Sequence, residues 1–133
     1  KQNLITIGRL DYNTEGLLLF TNNGDVAREY ELPKNKIKRT YKVKVFGNVK
    51  NSYILQIQRG VKINGISHRV DKIALVKKLK TNNWFKIELS EGKNREIRKI
   101  FEKFNLTVNR IIRTNYGEYS IGKIKSGEFR KVK

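Results

Sequence analysis

The stretch Gly8-Arg9-Leu10-Asp11-Tyr12-Asn13-Thr14-Glu15-Gly16-Leu17-Leu18-Leu19-Phe20 decides how the rest of the chain is read. Two apolar runs flank its polar centre, Leu4 to Leu10 and Leu17 to Phe20, each the length of a buried strand. The break between them, Asp11 to Gly16, is rich in turn formers. An acid there stands at the mouth of a rigid element, with Arg9 just before it. Rigid flanks and a short loop suit a reacting group that has to stay in place. The same residue can also be a plain turn Asp that bonds its own backbone. Spacing alone does not separate the two.

Around this stretch the composition sets bounds. A chain of 133 residues is one domain with room for a real core, and 38% apolar against 32% charged residues is the balance of a folded protein. No apolar run approaches the roughly 20 residues needed to cross a bilayer. Cysteine is absent and there is one histidine, His68, which excludes a disulfide framework and a zinc centre. A cytoplasmic home is the expectation. Thirty Lys and Arg against 12 Asp and Glu leave a net charge of +18, more than solubility requires. Such a field calls for a polyanion, and RNA fits it better than an anionic membrane. No basic amphipathic helix with exposed Trp or Phe stands out for a membrane.

Further along, Asp25 is placed to cap a short helix running to about Leu32, which Pro33 stops. Residues 34–44 carry Lys34, Lys36, Lys38, Arg39, Lys42 and Lys44 and no acid, as a loop entering a strand that can track phosphates. In that strand Tyr41, Val43 and Val45 share one face while Lys42 and Lys44 occupy the other. A helix over Ser52 to Gln58 ends at Gly60, and an Asn64-Gly65 turn marks a hairpin. Ile73 to Leu79 and Trp84 to Leu89 are expected to pair antiparallel. From Asn94, a good N-cap, the period turns helical, with Ile97, Ile100, Phe101 and Phe104 on one stripe. Short strands are expected at Val108 to Thr114, Tyr119 to Ile121 and Glu128 to Val132. His68, in a polar stretch, is expected at the surface. The fold class is α+β, a mainly antiparallel sheet with a few helices packed on it.

Three stretches also carry a resemblance. Gly-Arg-Leu-Asp-x-x-Thr-x-Gly-Leu-Leu, beginning at Gly8, resembles the active-site motif of the pseudouridine synthases, in the branch that modifies single uridines of ribosomal RNA. Glu91-Gly92-Lys93-Asn94-Arg95-Glu96-Ile97-Arg98-Lys99 is similar to the late motif of that branch, in a form nearest its large-subunit members. Gly127-Glu128-Phe129-Arg130 resembles the C-terminal signature. The likeness runs in family order through nearly all 133 residues. It implies a bent, mainly antiparallel sheet with the active cleft across its middle. It also implies further catalytic-domain strands and an RNA-binding domain upstream, so residues 1–133 are expected to be part of a catalytic domain. A sheet edge left open in this way is expected to favour self-association.

The resemblance implies an isomerisation that needs no cofactor, because the uracil ring leaves ribose through N1 and rejoins it through C5 with no atoms gained or lost. It assigns the catalytic carboxylate to Asp11, its ion-pair partner to Arg98, and base stacking to Tyr41. A desolvated carboxylate tends to keep its proton, and a neighbouring guanidinium favours the charged form. Arg98 lies about 100° round the helix from Ile97, at the edge of the apolar stripe, where it can turn inward or stay solvated. Tyr41 shares a face with Val43 and Val45, so core is its plain reading. Arg9 resembles the arginine that fills the space of a flipped-out uridine. Lys93, Asn94 and Arg95 lie where a helix start favours phosphate, and Lys42 and Lys44 complete the candidate RNA contacts. Two other classes stand beside this one. A non-catalytic basic RNA-binding module fits the charge equally well, and a glycosidase fits poorly because only one carboxylate can be nominated.

Overall fold

Alternation from Tyr41 onward in one strand builds the core. In Arg39–Phe46 the side chains of Tyr41, Val43 and Val45 are buried, whereas Lys42 and Phe46 are exposed. The computed structural model describes residues 3–90 and 95–132, the side chain of Arg95 excepted. Within them run β1 (Ile5–Ile7), β2 (Thr14–Gly16), β3 (Leu19–Thr21), α1 (Gly24–Glu31), β4 (Arg39–Phe46), α2 (Asn51–Arg59) and β5 (Val61–Ile63). There follow β6 (Ile66–His68), β7 (Lys72–Lys78), β8 (Asn82–Leu89), α3 (Arg95–Glu102), β9 (Thr107–Tyr116) and β10 (Tyr119–Ser120).

The main sheet has the order β10-β9-β4-β8-β7, with β4 antiparallel to both β8 and β9. β2 joins it parallel to β9, on the edge that β10 occupies further along. β1 pairs with β3, and β5 with β6 through the Asn64-Gly65 turn, where both residues have positive φ (52° and 79°). This is the α+β class that the sequence implies.

Two apolar clusters result. The larger joins Val43, Val45, Phe85, Ile87 and Ile111 of the sheet to Ile57 of α2 and to Ile97, Ile100 and Phe101 of α3. The Phe85 and Phe101 rings lie 5.1 Å apart and tilted, a favoured aromatic geometry. The smaller cluster comprises Ile7, Leu17, Ala27 and Tyr116, with Leu19 and Tyr30 against it.

Several expectations are corrected. The polar break after Asp11 is not all turn, because Thr14–Gly16 forms β2 against an unpaired edge of β9. Asn23, not Asp25, caps α1, its side-chain oxygen accepting from the Asp25 amide at 2.9 Å. Glu128 to Val132 forms no strand. His68 is 8% exposed and its Nδ1 lies 2.8 Å from Glu96 Oε1 on α3. The Asn94 cap lies outside the described residues.

Phe101→Ala removes the ring that ties α3 to the sheet. It is expected to destabilise the fold by about 3–5 kcal/mol, read as a lower urea midpoint with an unchanged slope.

Candidate active site

Two arginines hold the Asp11 loop by its backbone. The loop turns through a bond from the Thr14 amide to the Asp11 carbonyl (2.9 Å) and enters β2, which ends with the Leu17 amide on the Arg113 carbonyl (2.8 Å). Arg113, 2% exposed, donates Nε to the Leu17 carbonyl (3.0 Å) and Nη1 to the Arg9 carbonyl (3.4 Å). One guanidinium thus grips the chain on both sides of Asp11. From α3, Arg98 donates Nη2 to the Asn13 carbonyl (3.0 Å) and Nη1 to the Val108 carbonyl (3.0 Å). Asp11 itself is half-buried, and the next residue, Tyr12, is fully exposed.

The close approach of the loop to β9 dictates a glycine. Gly16 has φ +109°, and a Cβ built there would lie 2.2 Å from the Arg113 carbonyl oxygen. No L side chain fits that backbone or that gap.

Below the loop lies a second buried guanidinium. Arg39, 4% exposed, donates to the carbonyls of Ile37 (2.7 Å) and Ser90 (3.0 Å) and to the Tyr116 hydroxyl (3.0 Å). Arg39 and Arg113 each place the guanidinium carbon 4.7 Å from the Tyr116 ring centroid. Among the described residues no carboxylate pairs with either arginine, and Arg39 Nε and Arg113 Nη2 are buried without a partner. Tyr41 stands opposite Arg113 in the register of β4 and β9, its hydroxyl against the guanidinium. Burial pushes the Tyr41 phenol up, and the Arg113 charge pulls it part of the way back. Burial also lowers the Arg113 guanidinium, with Tyr41 opposing it.

The sequence-derived residues divide as follows. Asp11, Arg98 and the backbone of Arg9 meet at the loop, with the Arg9 side chain exposed. The ion pair expected between Arg98 and Asp11 is not formed; Arg98 instead gives two of its five N–H donors to the carbonyls of Val108 and Asn13. Tyr41 is 1% exposed and offers no open face for a base; it belongs to the core under the site. Lys42 and Lys44 lie on the opposite face of the sheet, gathered over the Trp84 ring. Lys93, Asn94 and the Arg95 side chain lie outside the described residues. Sequence reasoning missed Arg113, and it set Arg39 among residues that track phosphates, whereas Arg39 is buried on backbone carbonyls and the Tyr116 hydroxyl. For Arg113 a signal exists: it shares the inward parity of the buried Ile111.

The site is a half-buried carboxylate on a loop whose backbone two arginines hold, beside the buried guanidinium of Arg113. The chain belongs to the RNA pseudouridylate synthase family, whose model matches residues 1–103. It is 49% identical to an "Uncharacterized RNA pseudouridine synthase" of Rickettsia bellii, over 97% of this chain and 56% of that protein. It is 42% identical to "Ribosomal large subunit pseudouridine synthase B" of Buchnera aphidicola subsp. Acyrthosiphon pisum, over 96% of this chain and 52% of that one. The chain thus spans about half the length of the curated relatives it matches. A crystal structure of a pseudouridylate synthase superposes with a TM-score of 0.80 at 25% identity, covering 98% of this chain and 56% of that one.

Gly16→Ala is expected to cost about 2 kcal/mol or more and to detach β2 from β9, visible as lost amide protection at Leu17. Arg113→Lys keeps the charge but cannot fork to two carbonyls. Amides of the loop are then expected to exchange at least about tenfold faster, as the loss of one charge-assisted bond predicts.

Proposed function

We propose that the protein converts a uridine of ribosomal RNA, in the large-subunit RNA by preference, to pseudouridine, with Asp11 as the catalytic carboxylate. The observation that carries this reading is the bracing of the Asp11 loop by Arg113 and Arg98, in a chain of this family. In the reaction the N1–C1′ bond breaks, a C5–C1′ bond forms, the C5 proton leaves and N1 gains a proton. The ring and the ribose stay within the same nucleotide, so the chain's own groups suffice.

Asp11 supplies the negative charge, as nucleophile or as stabiliser of the separated sugar and base. Its position is set by backbone bonds, so it needs no rearrangement when the target arrives. Arg98 orients the loop and stands ready at its rim. Arg9, exposed just ahead of Asp11, is placed to contact a phosphate or the gap left by an extruded uridine. Tyr41 serves under the site beside Arg113; stacking on it would require the side chains above it to move. The outer edge of β7 has no strand partner among the described residues, and pairing there is the route by which copies would associate. The setting is the cytoplasm, where such RNA would be met.

The rival reading, a basic RNA-binding module without catalysis, has the charge in its favour. Asp11 separates the two, because phosphate binding needs no acid in a cationic cleft. Asp11→Asn is expected to abolish pseudouridine formation, mapped chemically or by mass in ribosomal RNA, while RNA affinity is kept or slightly raised. Activity surviving in that variant sinks the catalytic reading.

A further inference from the structure

Taking RNA as the partner, as proposed above, we propose that the sheet face turned away from the Asp11 loop is a second RNA-binding surface, centred on Trp84. The strand registers set a row across this face in the order Arg110, Lys44, Trp84, Lys77, each on a neighbouring strand. With strands about 4.8 Å apart, the row is about 14 Å long. In the next row Lys42 and Lys86 stand directly opposite each other. Arg110 is bound bidentately by Glu15 (2.9 Å to each oxygen), and among the described residues none of the four lysines of the two rows makes a salt bridge, the other acid of this face, Glu88, lying one row beyond Lys86.

A solvated face explains lysines but not this arrangement. Like charges placed directly opposite on a sheet repel, so Lys42 against Lys86 is a destabilising choice unless a polyanion relieves it. The aromatic residue set among them is the only tryptophan of the chain. Lys42 and Lys44 lie with their ammonium groups 4.8 and 5.9 Å from the Trp84 ring. A nucleic acid strand offers phosphates to those ammonium groups and a flat base to the ring they uncover. The face lies on the opposite side of the sheet from Tyr41 and Arg113, so it is not a wall of the Asp11 site. It is suited to a flanking stretch of the RNA whose uridine occupies the site.

Trp84 makes the test direct, because its emission reports on this face alone. Titration of the chain with a mixed-sequence single-stranded RNA is expected to quench Trp84 saturably. Replacing Lys42, Lys44 and Lys86 together by Gln, surface changes whose folding is checked by circular dichroism, is expected to flatten the plot of log affinity against log salt by about 2, at about 0.7 for each phosphate no longer neutralised. Trp84→Ala is expected to weaken binding about tenfold, followed by anisotropy of labelled RNA, without altering that slope. The proposal falls if Trp84 emission is unmoved while labelled RNA binds, or if the salt slope of the triple variant matches the parent. It also falls if acrylamide cannot reach Trp84 before RNA is added, since a second copy or another segment then already covers the face. Anionic phosphatidylserine vesicles that quench as well as RNA would overturn it in favour of a membrane. Failure of the catalytic reading looks different: no pseudouridine forms, yet quenching and slope behave as described.

Discussion

Two buried guanidiniums, with no carboxylate paired to them among the described residues, are the constraint on which this fold turns. Taking such charges out of water is expensive unless dipoles replace the lost hydration. Here the replacement comes from backbone carbonyls: Ile37 and Ser90 for Arg39, Arg9 and Leu17 for Arg113. The ring of Tyr116 lies between the two cations and offers its negative faces to both. Each carbonyl so engaged belongs to a connecting segment, and those segments are fixed as a consequence. The loop carrying Asp11 is the most affected, since its two ends meet on one side chain.

That arrangement also explains why the site lies at a seam. The larger apolar cluster packs under α2 and α3, the smaller one beside α1, and Tyr41, Arg113, Tyr116 and Arg39 connect them. A purely apolar bridge would bury the same area but hold no loop. A cationic one places positive potential under the acid and leaves two donors, Arg39 Nε and Arg113 Nη2, without partners. The sheet meanwhile has two faces of different character, one packed against helices, the other open and lysine-rich with a single tryptophan.

The family membership and the fold agree at every scale. The motif beginning at Gly8 supplies Gly16, whose missing Cβ lets β2 reach within van der Waals range of Arg113. The motif around Arg98 supplies the helix whose apolar stripe of Ile97, Ile100 and Phe101 docks on the sheet. The two stretches are far apart in sequence, and among the described residues a bond from Arg98 to the Asn13 carbonyl joins them.

By itself the sequence determined what depends on neighbours in the chain. Alternation placed Tyr41, Val43 and Val45 inside, the 3.6-residue period placed the stripe of α3, Asn64-Gly65 made its hairpin and Gly60 ended α2. The position of Asp11 on a short loop between apolar runs was legible for the same reason. Tertiary structure alone decided what depends on residues distant in sequence. Arg98 bonds the loop's backbone and not its acid. Asp11 to Gly16 became partly strand because β9 offered it an edge. His68 went inside because Glu96 came to meet it. Above all, Arg113 entered the core because the carbonyls of Arg9 and Leu17 were brought there to receive it, about a hundred residues away along the chain. Local patterns encode local geometry, whereas the solvation of a buried charge is settled by whatever the fold gathers round it.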